Sequence, residues 1–447
     1  MSSTTAPWVH DLFLRAKVSA MKVHSPVGVE GRTRALLRLI AASAAAMLAS
    51  ACASLSDEYH PPQQPGAEYD ELYPQYIQLC AVSQIRAKFA ATGGSPGHAV
   101  MYLKGACKDD SAGYPRLKLC DAGSQHTGVG VSVNKTFKNV NWMATPGKEL
   151  FFSGNLKPAE FVTEETVRAT IQSAADDDIF EGITVHEQYK PPKDDLEAVE
   201  LFLASETLGT DFALNFGRNA FCANLPVSEP VLRGVVDYLN GLNDEYARGE
   251  ATYNWSGYSD NCVHTLRNAL AAGGVWAPKS INQIKLLQIF HLAVPANEFS
   301  DLVNRSNRFK VESFEYVYDD EYMRKALMRY GWLPTRHGAL LEYIPVHLNN
   351  TLYDVRHQIF VLEAPMFRPK SGRIRKMFDD FRYTDVEDNL LYYRDRYQEA
   401  LRKRPPTWDQ VNETDERSKV RRAYYQYIEA QLADVNDKLR QLAKSRN

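Results

Sequence analysis

Asn261, Cys262, Val263 and His264 open the segment NCVHTLRNALAAGG, in which Val263, Leu266 and Leu270 recur at helical spacing before Gly273 and Gly274 supply a stop. An asparagine ahead of such a stripe is a good N-cap, so Asn261 is read as the helix cap and Cys262 falls in the first turn. There the unpaired N–H groups and the helix dipole favour a thiolate, and the same N–H groups can hold an oxyanion formed on an attacked carbonyl. The chemistry this placement serves is nucleophilic attack on an acyl group, and it needs a base. His98, at the start of GHAVMYL, is the candidate general base, with Gly97 giving the chain freedom to turn into the strand. A third polar group should orient the imidazole. The stretch after His98 offers His126, Ser132 and Asn134; Asn134 is favoured because GVGVSVN places it at a strand end, and His126 is the alternative. His264, two residues beyond the nucleophile, points to a different side of the helix.

The six cysteines sort by compartment. Arg32, Arg34 and Arg38 precede an apolar, alanine-rich run from Leu39 to Ala51 that stops at Cys52 in the order LASAC, the layout of a secretory signal. Spanning a bilayer takes about 20 apolar residues, and this run is shorter. A cysteine directly after small residues resembles the bacterial lipoprotein signal, in which that cysteine takes a lipid such as palmitate; the usual Leu stands four positions before Cys52 rather than three. In the oxidising compartment this implies, structural cysteines tend to pair, and an odd number leaves one thiol. Cys107 and Cys120 flank the turn-rich KDDSAGYPRLKL and form the first disulfide candidate, Cys80 with Cys222 the second. Spacing alone does not fix connectivity, but this assignment leaves Cys262 free.

The elements that must position these groups read as an α+β chain. Hydrophobic residues make up 44% and charged residues 24% of 447, a globular balance. Residues 1–51 read as the lipoprotein signal, 52–68 as a tether rich in proline and charge, 69–278 as the α+β domain and 279–447 as a mainly helical C-terminal region. Helical spacing is predicted from about Leu72 to Ala90. GHAVMYL, GVGVSVN, ELFFSG, GITVHEQY and DFALNFGRNAFCANL read as strands, with helices near Thr163–Asp177, Lys193–Glu206 and from Ser228. HQIFVLEA reads as a late strand. The last helix begins near Thr414, and its stripe Ile428, Leu432, Val435, Leu439, Leu442 is expected to pack on its own domain rather than in an oligomeric coil.

Several function classes are excluded. The net charge is −3 and no dense basic patch with interleaved aromatics occurs, which argues against nucleic acid. GGSPG matches the nucleophile-elbow pattern, but Pro96 lacks the N–H that the oxyanion requires. GVGVSV has Val133 where a dinucleotide site needs its third glycine, and HEQYK has Lys190 where a zinc helix needs its second histidine. No metal or cofactor motif survives.

The order His98 on a first strand, then Asn-Cys at a helix start, resembles circularly permuted papain-like proteins, relatives of the NlpC-type peptidases and of lecithin:retinol acyltransferase. The Asn-Cys-x-His core of the latter group is matched by Asn261, Cys262, Val263 and His264. A closer resemblance is to the Lnb-type N-terminal periplasmic domain family, carried by GHAVMYL, TPGKELFFSGNL, LNFGRNAFCANLPVSEPVLRGVVDYL, YNWSGYSDNCVHTL and VPANEFSDLV, over roughly Gly93 to Val303. LEAVELFLASETLGTDFALNF lacks the family's Arg-Asp-containing stretch. The resemblance implies a permuted papain-like domain with an antiparallel sheet and packed helices, with Cys262 as nucleophile, His98 as base and Asn134 as third residue. It implies no cofactor, and a lipid-anchored location in the bacterial envelope, at the outer membrane facing the periplasm. Amide or ester bonds of peptidoglycan peptides or lipid acyl groups are the expected substrates, and Tyr253, Trp255 and Tyr258 are candidates for lining a groove although such aromatics are more often core. The competing expectation is a non-catalytic binding or assembly module whose C-terminal helices meet a protein partner.

Overall fold

The computed structural model describes residues 52–55, 66–85, 97–157, 159–190, 196–256, 261–276, 295–356, 359–362, 370–412 and 414–446. The expected signal, most of the tether, GGSP, Tyr258 and Asp260 lie outside them. In chain order the elements begin with β1 (Cys52–Leu55), α1 (Gly66–Leu72), β2 (Tyr76–Val82), β3 (His98–Lys104), β4 (Ala106–Lys108), β5 (Leu117–Leu119), β6 (Gly128–Val133) and β7 (Trp142–Pro146). They continue through α2 (Lys148–Ser153), α3 (Glu164–Asp176), α4 (Leu196–Thr207), β8 (Ala220–Pro226), α5 (Glu229–Ala247), α6 (Cys262–Ala272), α7 (Pro295–Arg308), α8 (Phe314–Asp319) and α9 (Glu321–Tyr330). The chain closes with β9 (Leu340–Ile344), β10 (Ile359–Leu362), α10 (Lys370–Phe378), α11 (Phe381–Thr384), α12 (Val386–Arg402) and α13 (Glu416–Ser445).

Six strands form one antiparallel sheet in the order β7-β6-β3-β2-β8-β9. Because side chains alternate across a strand, each strand feeds two cores. Ile77, Leu79, Met101, Val131 and Ala223 pack under α5, α6 and α7. Tyr76, Cys80, Val100, Tyr102 and Cys222 face α2 and the later helices α8, α9, α12 and α13. Cys80 stands opposite Cys222 in the β2–β8 register and is bonded to it, while Cys107 is bonded to Cys120 across the small β4–β5 hairpin. Cys262 is free.

Four features differ from the sequence expectation. The predicted helix from Leu72 holds β2 instead: a central strand buried on both faces, YIQLCAV, is apolar at most positions and shows no period of two. ELFFSG is not a strand but α2, closed by Gly154 in the left-handed conformation. GITVHEQY forms only a bridge from Val185 to Phe137 and a single 3₁₀ turn. The C-terminal region is mainly helical as expected, and it also supplies β9, an edge strand of the central sheet, which carries the buried Glu342 onto Gln78 Nε2 (2.5 Å) and Asn224 Nδ2 (2.9 Å). At the other end, Cys52–Leu55 pairs with Ile359–Leu362, so the tether expected from residue 52 begins as a strand. The α13 stripe packs internally, with Ile428, Val435 and Leu442 buried and Leu432 and Leu439 against them.

Candidate active site

β3 begins directly after Gly97, whose φ of +115° lies where only glycine is comfortable, and its first residue is His98. By alternation His98 shares a face with Val100, and Val100 pairs with Ser132 of β6. Ser132 is therefore the diagonal neighbour of His98, and Asn134, two residues on, shares that face. The third contributor comes from the turn after α4, where the N–H groups of Thr210 and Asp211 both bond Thr207 O, and Asp211 reaches beneath the strand ends with no exposed surface.

These groups form one hydrogen-bonded chain. His98 Nε2 lies 2.8 Å from Ser132 Oγ, and Ser132 Oγ donates to Asp211 Oδ1 at 2.5 Å. Asn134 Nδ2 donates to Asp211 Oδ2 at 2.6 Å, while its Oδ1 accepts from the N–H and hydroxyl of Thr136. Since the serine hydroxyl gives its proton to the carboxylate, its oxygen accepts from His98 Nε2–H. This fixes the tautomer and leaves Nδ1 as the basic nitrogen. The expected third residue is corrected accordingly: Asn134 holds the carboxylate, not the imidazole, and Ser132 takes the imidazole. His126 is excluded from the constellation because it precedes the far end of β6 and packs against Gly147.

α6 starts at Cys262 with Asn261 as its cap: Asn261 Oδ1 accepts from the N–H groups of Val263 (2.9 Å) and His264 (3.2 Å). The cap thus takes two of the donors expected to serve an oxyanion. Cys262 is partly exposed, its helix α6 packs against β3, and the backbone N–H groups of Ala99, Val263 and Cys262 act on the sulfur in favour of a thiolate. No hydrogen bond joins His98 to Cys262 among the described residues. His264 is buried with neither ring nitrogen hydrogen-bonded, and Tyr253 is core while Trp255 is exposed.

Burial dominates the electrostatics. It pushes the Cys262 thiol up to about 11 against the pull of the backbone N–H groups, so the lowered value expected at a helix start is not what the site produces. It holds His98 down to about 3, with the Arg218 cation adding to the effect, and raises Asp211 to about 6 against the hydrogen bonds of Ser132 and Asn134 and the charge of Arg218. At neutral pH the resting site is therefore a thiol, a neutral imidazole and a carboxylate.

No family model, curated protein or solved structure matches this chain. The geometry has to carry the functional reading. Two of its members, Asp211 and Arg218, escaped the sequence reading. The signal available for them was a single acid and a single base inside the otherwise uncharged TDFALNFGRNAF. Among the described residues no cluster of His, Cys, Asp or Glu is placed to hold a metal ion.

Proposed function

We propose that the protein is a thiol hydrolase or acyltransferase acting on amide or ester bonds, with Cys262 as nucleophile and His98 as general base. One observation carries this reading: the capped helix that starts at the free, partly exposed Cys262 packs against the strand that begins with a buried histidine, and that histidine is held through Nε2 by Ser132 and, beyond it, Asp211. Ser132 itself has no exposed surface, which argues against a serine nucleophile.

In the reaction the sulfur bonds to the carbonyl carbon as the thiol proton passes to His98 Nδ1 and the C=O electron pair moves to oxygen. The Cys262 N–H, which the cap leaves unused, is a donor for that oxygen. Collapse expels the amine or alcohol, which takes the proton from the imidazolium, and leaves an acyl-cysteine for water or an acceptor hydroxyl or amine. Asp211, through Ser132, stabilises the transient imidazolium. With the thiol raised and the histidine lowered, the proton stays on sulfur until attack, so the mechanism is general-base rather than a preformed ion pair. Contacts between catalytic groups are often longer before substrate binds.

The resemblance to permuted papain-like and Lnb-type periplasmic domains, together with the LASAC segment, supports a lipid anchor at Cys52, a place in the bacterial envelope and peptidoglycan peptides or lipid acyl groups as substrates. The raised thiol and the absence of a His98–Cys262 hydrogen bond favour the second reading, a binding or assembly module on the same fold. Incubation with an activated acyl ester separates them: an acyl adduct on Cys262 that turns over supports the enzyme, and an inert thiol supports the module.

A further inference from the structure

Arg218 stands in the turn before β8 and is almost wholly buried, among the largest fully buried side chains of the protein. A buried guanidinium is costly unless a carboxylate pairs with it. Here the two hydrogen bonds go to neutral acceptors instead: Nη1 to Ser83 O at 3.1 Å and Nη2 to Thr210 Oγ1 at 3.3 Å, while Nε makes none. Both acceptors adjoin the site. Ser83 follows Val82, the register partner of His98, and Thr210 precedes Asp211. The chain at Ser83 is further tied to Asn219 by Ser83 N–H to Asn219 O and by Asn219 N–H to Ser83 Oγ, both at 2.9 Å. The guanidinium therefore sits between the strand end that aligns His98 and the turn that delivers Asp211, with no ion pair among the described residues.

We infer that Arg218 is the positioning cation of the site, which joins the strand end beside His98 to the turn that carries Asp211 and favours negative charge as it develops on the Cys262 sulfur. The inference rests on the thiol-enzyme reading for its use, but its electrostatic content is separate from catalysis. The charged and titratable groups that act on this cluster are His98 from β3, Glu206 from α4, Cys262 from α6 and Tyr353 from the loop after β9; Glu206 opposes the ionisation of Asp211, and Arg218 supports it.

The test is the rate at which iodoacetamide alkylates Cys262 in the full chain at pH 8.5, below the thiol's pKa, where the rate follows the thiolate fraction. Arg218→Gln is expected to slow alkylation roughly tenfold or more, a shift of one pKa unit. Arg218→Lys, which keeps the charge, should stay within about threefold of wild type by the same measure. A purely structural role predicts the opposite sign, because loosened packing exposes the thiol and speeds alkylation; an equal or faster rate in Arg218→Gln overturns the inference. Should Arg218→Gln fail to fold, Arg218→Lys decides alone, and a tenfold loss there counts against a charge effect. Acylation by p-nitrophenyl acetate, measured on the same variants, reports separately on the thiol-enzyme reading. An inert wild-type thiol there removes that reading, whereas the alkylation order still tests the cation.

Discussion

At the scale of single residues, the chain His98–Ser132–Asp211 makes sharper demands than a histidine beside a cysteine would. If Asp211 acts by fixing the tautomer and stabilising the imidazolium, Asp211→Asn should leave the fold intact and lower acyl transfer by roughly 10²-fold or more, since a well-placed general base contributes on that order. Ser132→Ala cuts the link between carboxylate and imidazole and should have an effect of the same direction, measured as kcat/KM on a p-nitrophenyl ester; a Ser132→Ala variant as active as wild type removes the relay. Cys262 and His98 were legible in the sequence because each sits at an element start, marked by Asn261 and Gly97. Ser132 and Asn134 were both visible as candidates, but alternation puts them on one face, and only the three-dimensional register and the carboxylate decide which one touches the imidazole. Asp211 and Arg218 come from turns, whose approach to the strand ends is set by tertiary packing that no local pattern encodes.

At the scale of elements, two devices hold the helix of Cys262 and the strand of His98 in place. Asn261 satisfies two N–H groups at the start of α6, and Asn261→Ala should cost about 1 kcal/mol of stability, read from the urea midpoint, while disturbing the approach of Cys262. The Cys80–Cys222 bond ties β2 to β8 at the centre of the sheet. Its removal in a Cys80→Ala/Cys222→Ala variant should cost about 2–5 kcal/mol, and reduction of wild type, which also opens Cys107–Cys120, should cost at least as much. Strands with clean alternation or a glycine entry, such as β3 and β6, were readable, as were the amphipathic helices α3, α5 and α13. β2 was not, because a strand covered on both faces loses the alternation that identifies it. α2 was not, because ELFFSG carries two adjacent phenylalanines that suit either element, and its place between the sheet and the later helices chose the helix.

For the whole molecule, elements beyond the boundary drawn at residue 278 share the sheet and a core with those before it. A fragment ending there lacks β9, whose absence exposes the β8 edge, and lacks α12 and α13, which cover Tyr76, Val100 and Tyr102. We expect it to be insoluble or unfolded by circular dichroism; a cooperative unfolding transition in that fragment would contradict the placing of β9, α12 and α13 as integral parts of the sheet and its cores. Acid stability follows from the buried histidines. His98 is held at about 3 and His337, under α13 against Asp434 and Tyr73, at about 4. Both are lowered by burial, so the unfolded chain takes up protons near 6.5 that the folded protein refuses, and stability falls as pH drops from about 6.5 toward 4. Asp211, raised to about 6, works the other way between about 3.8 and 6, because there the folded state holds the extra proton. Two histidines outweigh one aspartate, and the melting temperature should decline through this window, with a shallower decline in His337→Gln.

The most direct test of the account is the rate and site of acylation by p-nitrophenyl acetate, followed by intact-mass and peptide mass spectrometry, in wild type and His98→Ala at neutral pH. The account predicts a single acyl adduct on Cys262 that forms roughly 10²-fold or more slowly without His98. An unlabelled Cys262, or an adduct that forms at the same rate in both proteins, would contradict it.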